Sequence, residues 1–503
     1  MKENKMKSMR MKVAAAIALV ATFAVGGIHS AQAADVVDVN APVILNIHKL
    51  LGDPEPGNTG APTKGQTPLS GISFKVEKIE GVDLTTQAGW TELSTMTASN
   101  LGDNSVGASW TKVTDGSGLA SFTTTADSGF TVGVYRVTEI QKGGYTVAAP
   151  FLITLPYSGA NGTWTYTRDV YPKNQTFQPD KQVDDTNATL GTNLSYTINT
   201  PVPAGDLSLF KIVDPLATNL TLQQPATVTF TGVSAPTLAA GIDYTLDYTS
   251  NTLTVNFTQT GLDALKAARL TDPTLAVHVA FKATVNSIPA NGQITNTATV
   301  TFPTGSMTTN ADINGTSTPT STTFANLTIT KTGTGVTDNA QMNGAKFELY
   351  LCADSNADGK YELNGSALSV ATANDATSVG TVITTANGSG STASTGLGYA
   401  IPVSSFAGGT AGTQVNTYCV LETQAPAGFV RNPEPQLVTF TPDGTGATAG
   451  AFSVTVNNEK DSLLGQLPAT GAFGIVIIFL IGLALLARGF YTSRRDSKVN
   501  TAA

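Results

Sequence analysis

Short runs of alternating apolar and polar residues recur along the chain and constrain its fold more than any other feature. Residues 43–49 read VILNIHK, and the same period of two returns at 294–300, 327–331 and 418–422. Side chains alternate faces along a β-strand, so each run predicts a strand with one apolar face. Thr, Val and 49 Gly residues dominate a chain in which only 13% of residues are charged, a composition typical of short strands joined by tight turns. We therefore predict an all-β fold.

Length and charge exclude several classes of protein. The 503 residues are enough for three or four domains, each with its own core. Of three His residues, His29 lies in a segment that we expect to be removed. Only His48 and His278 remain, and this scarcity argues against zinc sites and His-based catalysis. The net charge of −8 argues against nucleic acid as a partner.

The first 33 residues have the pattern of a secretory signal peptide. Five basic residues precede an apolar run at 13–27, which is followed by Ala31-Gln32-Ala33. This order is typical of a signal with a small-residue cleavage site. The alternative, a membrane anchor, is disfavoured because the apolar run is short.

The C-terminal end predicts a short membrane segment with a positive-inside tail. Residues 472–487 are unbroken apolar, and Arg488, Arg494, Arg495 and Lys498 follow. The signal contributes five basic residues and one acid and the tail four and one, which leaves 19 basic and 34 acidic residues, a net charge of −15. An acidic ectodomain outside the cell is expected.

A pentapeptide stands immediately before the membrane segment: Leu467, Pro468, Ala469, Thr470 and Gly471. Leu-Pro-x-Thr-Gly, an apolar run and a basic tail, in that order, resemble the cell-wall sorting signal of Gram-positive surface proteins. The resemblance implies that a sortase cysteine cleaves between Thr470 and Gly471 and passes the Thr470 carboxyl to an amine. Pro468 restricts the backbone to an extended or kinked form that a groove can hold.

A second motif suggests which amine receives Thr470. Trp164 is followed by Val170-Tyr171-Pro172-Lys173-Asn174, which resembles the pilin motif of sortase-assembled pili, although Arg168-Asp169 replaces the usual apolar pair. By this resemblance the chain is identified as a sortase-assembled major (backbone) pilin of the SpaA/FimA fimbrial type, and Lys173 accepts Thr470 of the next subunit. The alternative is an exposed lysine at the end of a strand.

An internal repeat divides the chain. Residues 418–429 (YCVLETQAPAGF) resemble the E-box of Cna B-type pilin domains, and 135–145 are a looser version. The middle segment resembles a Cna A-type domain. The resemblance implies three tandem immunoglobulin-like β-sandwich domains of Cna B, Cna A and Cna B type. The predicted division is signal peptide 1–33, N-terminal pilin domain 34–174, middle domain 175–322, C-terminal domain 323–460, and sorting signal, membrane segment and tail 461–503.

Strand parity places a lysine, an acid and an asparagine on the apolar face of each predicted sandwich. In the family such groups form an intramolecular Lys–Asn isopeptide bond, because burial neutralises both the amine and the promoting acid. The alternatives are a buried hydrogen-bond network or solvent-facing lysines on edge strands. The predicted cross-links, each with its acid, are Lys331–Asn458 with Glu422, Lys181–Asn296 with Asp214, and Lys49–Asn174 with Glu139.

Two further sites are predicted in the C-terminal domain. Cys352 and Cys419 occupy the same kind of strand face in an exported chain, which favours a disulfide over free thiols. Asp354, Asn356, Asp358 and Gly359 follow the opening half of an EF-hand-type loop, with Glu362 at the ninth position. A calcium ion is predicted here, although the Glu at position 12 is missing, and the alternative is an Asx-rich turn. No cofactor is otherwise required.

These observations predict the shaft subunit of a covalently polymerised pilus anchored to the cell wall and supporting adhesion. The implied partners are a class C pilin sortase, identical subunits joined head to tail, tip or ancillary pilins, and peptidoglycan through a housekeeping sortase. A minor or tip adhesin pilin is the alternative, and Lys173 argues against it. A wall-anchored enzyme is the other rival, and the His-poor sequence offers no catalytic set for turnover; only single-turnover, autocatalytic isopeptide formation is expected.

Overall fold

The structure, a computed structural model, describes most of the chain outside its ends. The described residues are 36–54, 66–159, 162–312, 314–371, 378–386, 399–404, 406–407, 410–411, 415–443, 449–461 and 473–499. The predicted signal peptide and the pentapeptide at 467–471 lie outside them. Strands dominate the described residues, so the prediction of an all-β fold is confirmed.

The N-terminal group of strands forms two principal sheets around one core. Parallel pairing joins β1 to β11 and β2 to β12, and an antiparallel sheet runs β5-β4-β7-β8. Phe74, Phe122 and Phe130 are fully buried between these sheets. The elements are β1 (Ile44–His48), β2 (Leu50–Leu51), β3 (Thr67–Pro68), β4 (Ser73–Glu80), α1 (Gln87–Leu93), β5 (Ser105–Val113), β6 (Leu119–Thr123), β7 (Gly133–Ile140), β8 (Phe151–Leu155), β9 (Tyr157–Ser158), β10 (Trp164–Thr165), β11 (Thr167–Val170) and β12 (Lys173–Asn174).

The middle group is a sandwich of a four-stranded sheet, β13-β14-β19-β16, and a five-stranded sheet, β17-β18-β15-β21-β22. Alternate residues of both sheets, including Ile198, Val255 and Val279, meet in one core, as period-two patterning requires. The elements are β13 (Asp180–Asp184), β14 (Asn193–Pro201), β15 (Lys211–Pro215), β16 (Leu220–Thr231), β17 (Tyr244–Asp247), β18 (Thr252–Phe257), α2 (Gln259–Arg269), β19 (Ala276–Val285), β20 (Gln293–Asn296), β21 (Thr299–Phe302) and β22 (Gly305–Thr308), with a 3-10 turn at Thr249–Asn251.

Helix α2 crosses the end of this sandwich. Thr258 caps its first turn by accepting a hydrogen bond from the Gly261 amide. Gly261 is required there, because a Cβ would lie 2.0 Å from the Asp243 carbonyl oxygen. Lys266 and Arg269 stand in the last turn, where a cation complements the helix dipole. The helix thus delivers the Arg269 side chain towards the N-terminal strands.

The C-terminal group packs two sheets, built on β23-β35 and on β24-β32, around a core that includes Leu327, Phe347 and Val420. The elements are β23 (Thr320–Gly333), β24 (Lys346–Ala353), β25 (Glu362–Asn364), β26 (Val370–Ala371), β27 (Val379–Gly380), β28 (Val382–Thr384), β29 (Ala400–Ser404), β30 (Phe406–Ala407), β31 (Thr410–Ala411), β32 (Tyr418–Gln424), β33 (Gln436–Leu437), β34 (Thr439–Thr441) and β35 (Ala451–Asn458), with a 3-10 turn at Asn339–Met342.

Strand β23 pairs with strands of both the middle and the C-terminal groups. Its first residues pair with β20 of the middle group, and its later residues pair in parallel with β35. The predicted boundary at 322–323 therefore falls inside one continuous 14-residue strand. Continuous backbone pairing, in place of a loose linker, joins the middle and C-terminal groups.

The last described element is α3 (Phe473–Val499). Within the described part of the chain, no helix is both long and apolar enough to cross a membrane. The membrane segment predicted at 472–487 is therefore not supported. Its apolar run holds 16 residues, fewer than the roughly 20 that a spanning helix needs, and α3 continues directly into basic residues.

Candidate functional site

The N-terminal group brings Lys49, Glu139 and Asn174 together in its interior. Lys49 lies between β1 and β2, Glu139 is on β7, and Asn174 ends β12. The Lys49 Nζ lies 2.7 Å from Glu139 Oε2 and 2.5 Å from Asn174 Oδ1. The Asn174 amide donates to the other oxygen of Glu139. Lys49 is 0% exposed and Asn174 1%, so water does not compete for these contacts.

Burial changes the chemistry of this lysine. Desolvation lowers the pKa of Lys49 to about 8, although the neighbouring Glu139 carboxylate acts in the opposite direction. A neutral amine is a nucleophile, and the carbon that a Lys–Asn bond would require, Asn174 Cγ, carries the oxygen that the amine contacts. The Ala148 amide donates to Glu139 at 3.2 Å and helps to orient the acid.

The middle group buries the second set, Lys181, Asp214 and Asn296, with the Asn296 Nδ2 and Oδ1 atoms enclosed and without a hydrogen-bond partner among the described residues. Lys181 Nζ donates to Asp214 Oδ2, and both side chains are 0% exposed. Burial lowers the pKa of Lys181 to about 8. Burial also raises the pKa of Asp214, against the opposing effects of Lys181 and Asn296. Both shifts favour the neutral amine and the protonated acid that amide exchange at Asn296 would require.

In the third set, in the C-terminal group, the lysine donates to backbone carbonyls and not to its acid. Parallel pairing sets Lys331 opposite Val456 and Gly333 opposite Asn458, so the lysine and the asparagine lie two positions apart on adjacent strands. The Asn458 amide donates to Glu422 at 2.9 Å. The Lys331 Nζ donates instead to the carbonyl oxygens of Val456, at 2.8 Å, and Thr332, at 2.9 Å. Burial lowers the pKa of Lys331 to about 8, with Glu422 opposing.

Strand parity therefore placed all three predicted sets correctly in the interior. The lysines are at most 1% exposed, which contradicts the alternative of solvent-facing lysines on edge strands. Two uses of these side chains remain, a buried hydrogen-bond network and a covalent Lys–Asn bond.

The lowered lysine pKa values give a pH dependence for bond formation. We expect the rate of the Lys49–Asn174 cross-link to rise about tenfold per pH unit from pH 6 and to level off above pH 8, because the neutral fraction of Lys49 follows its pKa of about 8. Full-length chain newly made by cell-free translation can be diluted into buffers of pH 6 to 9 and followed by mass spectrometry. A rate that falls as the pH rises would contradict a lysine nucleophile.

Lys173 lies beside Asn174 but faces a different environment. In β12 it pairs with Leu50, and it is half-buried whereas Asn174 is fully buried. Lys173 lines a groove of about 380 Å³ between the N-terminal and middle groups. The two side chains point to opposite faces because neighbouring residues alternate along a strand. Other residues of the groove are Pro54, Ala148, Tyr171, Pro172, Pro203, Gly205, Phe302 and Thr304.

The rest of the pilin motif is held by residues that sequence reasoning missed. Trp164 stacks on Trp90 of α1 at 5.3 Å between ring centroids, and Tyr171 stacks on His48 at 4.8 Å. Asp169 lies 2.9 Å from His48 Nε2, which gives this departure from the usual motif a structural partner. No local sequence pattern indicates these three pairs, because their members are separated by 74 to 123 positions along the chain.

The predicted disulfide is confirmed. Cys352 on β24 and Cys419 on β32 are bonded, with their Cα atoms 5.8 Å apart. Both lie on the strand face opposite Phe347 and Glu422, as predicted, yet both are buried: Cys352 is 6% exposed and Cys419 0%. The bond joins two neighbouring strands of one sheet, and Glu422 is three residues beyond it.

The calcium prediction is not supported. Within the described ranges, no group of three or more His, Cys, Asp or Glu side chains could hold a metal ion. The candidate oxygens instead accept hydrogen bonds from the loop backbone: Asp354 from the amides of Asp358 and Gly359, Asn356 from that of Asp358, and Glu362 from that of Ser355. The loop is an Asx-rich turn, the alternative that the sequence left open.

Comparison with known proteins agrees with this geometry. Residues 41–175 match the family model of the Gram-positive pilin subunit D1, N-terminal domain. The chain is 29% identical to the fimbrial subunit type 1 of Actinomyces viscosus over 97% of this chain and 98% of that protein.

Two solved structures have a similar fold. The full-length major pilin SpaD from Corynebacterium diphtheriae has a TM-score of 0.61 and 23% identity, covering 86% of this chain and 100% of SpaD. The fimbrial protein FimP from Actinomyces oris has a TM-score of 0.50 and 27% identity, covering 84% of this chain and 99% of FimP. The chain thus matches a Gram-positive pilin domain model at residues 41–175 and is similar to fimbrial subunits along nearly its whole length.

Proposed function

We propose that this pilin is the shaft subunit of a covalently polymerised cell-surface pilus, joined through Lys173 of one copy and Thr470 of the next. The observation that carries the proposal is that Lys173 lines the groove between the N-terminal and middle groups, directly after Pro172 of the pilin motif. Lys173 is half-buried with its Nζ covered, so the side chain has to turn outward to accept an acyl group, whereas the three other candidate lysines are at most 1% exposed and lie in the domain cores.

The joining reaction follows from the chemistry of the two ends. The sortase thiolate attacks the Thr470 carbonyl carbon, the Thr470–Gly471 bond breaks, and the Gly471 amine leaves with a proton. The neutral Lys173 amine then attacks the thioester, an amide forms, and the thiolate is released. Prolines and Phe302 line the groove, a surface that suits an extended, proline-containing peptide such as the segment ending at Thr470.

The same proposal assigns the buried sets to internal cross-links. In each, the lysine Nζ bonds to the asparagine Cγ, the Cγ–Nδ2 bond breaks, and the amide nitrogen leaves as ammonia while the acid relays protons. The reaction occurs once per bond and needs no cofactor, so the chain would act as a sortase substrate and not as an enzyme. A tie between the first and last strands of a domain keeps the domain from unravelling when the fibre is pulled.

The partners follow from these chemical roles. A class C pilin sortase would build the shaft, identical subunits would join head to tail, and tip or ancillary pilins would complete it. A housekeeping sortase would link the base to peptidoglycan. The subunit would thus reside at the cell surface in a pilus that supports adhesion and colonisation.

The proposal predicts a specific branched peptide. Polymer released from cell walls and digested with a protease should contain the Lys173 peptide joined through Nζ to the carboxyl of Thr470. Unassembled subunit from the same cells is the control and should lack this peptide. An unmodified Lys173 together with Thr470 attached only to peptidoglycan would contradict the shaft role and favour a wall-anchored minor pilin.

A further inference from the structure

The walls of the groove at Lys173 come from two different parts of the fold. The N-terminal group supplies Pro54, Ala148 and the motif residues up to Lys173, and the middle group supplies residues 203–206 and 302–304. The width of the groove therefore depends on how these two groups are held together.

The Arg269 side chain forms hydrogen bonds to residues next to both walls of the groove. It extends from the last turn of α2 and is only 7% exposed. Its Nε donates to the Val202 carbonyl at 2.8 Å, next to the wall that begins at Pro203. Its Nη1 and Nη2 each donate to the Asp53 carboxylate at 2.9 Å, next to Pro54 of the opposite wall.

The fork of the guanidinium is essential to this arrangement. A bidentate pair fixes both distance and orientation, whereas a lysine ammonium would act as a single point charge and could not reproduce the same three bonds. Val202 and Asp53 are thus held in one register by a single planar group.

Two further contacts show that the walls are closely fitted. Gln175, two residues after Lys173, donates to the Ala204 carbonyl at 3.0 Å and accepts from the Ala204 amide at 2.7 Å. At Gly205 an added Cβ would lie 2.8 Å from Pro54 Cγ, so the walls nearly touch there. A small rotation between the groups would change the groove.

We propose that Arg269, through Asp53 and Val202, is a positioning residue for subunit joining. It sets the groove so that Lys173 meets the thioester of the incoming Thr470 in an attacking geometry. The inference rests on the proposed function of Lys173. Because acyl transfer depends steeply on the approach of the reacting atoms, a misplacement of about 1 Å can cost about 100-fold in rate.

The test uses the full-length chain in cells that assemble the polymer. Arg269→Ala and Asp53→Ala should each reduce the high-mass ladder and the Lys173–Thr470 junction peptide about tenfold or more. Arg269→Lys should fall between these variants and the wild type, since the charge is kept and the fork is lost. The matched control is Arg136→Ala, which removes a guanidinium paired with Glu77 at 2.8 Å within the N-terminal group, outside the groove. It should assemble normally.

Intact mass and thermal unfolding of the unassembled subunit separate positioning from loss of fold. Asp53 has a side chain 45% exposed, so water can reach the Arg269 guanidinium once the carboxylate is removed; the cross-link masses should stay at wild type and the melting temperature should fall only modestly while the ladder falls. If Arg269→Ala fails to accumulate, Asp53→Ala decides the question. A ladder within twofold of wild type in Asp53→Ala overturns the inference. A wild-type polymer that lacks the Lys173–Thr470 junction overturns the proposed function itself, and the inference with it.

Discussion

Replacing Lys173 with alanine should abolish the high-mass ladder of covalent polymers in cell-wall extracts and leave only the monomer. No other side chain in the described groove carries an amine. The intact mass of the subunit should otherwise show the same internal cross-links as wild type, because Lys173 is half-buried in the groove whereas Asn174 faces the interior.

A matched control for this variant is Lys282→Ala. Lys282 is an exposed lysine on β19 of the middle group, so its loss removes a surface amine of the same chemistry. It should leave the ladder unchanged. An intact ladder in the Lys173→Ala strain would show that the subunits join through a different amine or are not joined to one another.

The second large effect is expected at Asp214. Asp214→Ala should prevent the Lys181–Asn296 bond, so the chain should be heavier than the cross-linked chain by about 17 Da of retained ammonia, offset by the change in side-chain mass. The variant also leaves the Lys181 ammonium buried, 4.8 Å from the Tyr196 ring centroid, without the carboxylate that it now contacts. In the cross-linked subunit Lys181 Nζ is an amide nitrogen, so the variant loses the covalent tie and gains an unpaired buried amine; a buried charge left without its partner costs about 3–5 kcal/mol.

Intact mass spectrometry and thermal unfolding of the full chain measure both consequences. Asp214→Asn keeps the shape of the side chain but cannot relay a proton, so it too should lack the bond. The control is Asp180→Ala, one residue from Lys181 on the opposite face of β13. Its mass should show the full set of cross-links. Complete loss of ammonia in Asp214→Ala would refute the role of the acid.

The three buried sets differ in how closely they approach reaction. Lys49 and Lys181 contact their acids directly, whereas Lys331 donates to two backbone carbonyls and Glu422 is bonded to Asn458 and to the Asn432 amide. Lys331 must leave these carbonyls before it can attack Asn458. This difference could not be predicted from the sequence, where the E-box around Glu422 is a closer match to the family motif than the one at 135–145.

Much of the fold and of the buried sites could be predicted from periodicity. Side-chain direction in a strand depends only on position along that strand, so the parity of Lys331, Glu422 and Asn458 was enough to place each in the interior. The same rule placed Cys352 and Cys419 on one kind of face, and the disulfide is present. It did not show that this face is buried, since burial depends on what covers a sheet.

Predictions that depended on isolated motifs were either not supported or lie outside the described residues. The acidic loop at 354–362 has the spacing of a calcium loop, but spacing does not reveal whether oxygens are committed to backbone amides. At the C-terminal end, the described helix gives no support for the predicted membrane segment. The sorting pentapeptide lies outside the described residues, so its role stays a prediction.

The sequence by itself determined the all-β class, the residues that face inward, the cysteine pair and the two motifs proposed to join subunits, because each of these follows from neighbours along one strand or from a contiguous stretch. Only the tertiary structure decided the shape of the groove around Lys173 and the Arg269–Asp53 ion pair beside it. Arg269 and Asp53 are 216 positions apart, and their meeting depends on how two groups of strands pack, which no local pattern encodes.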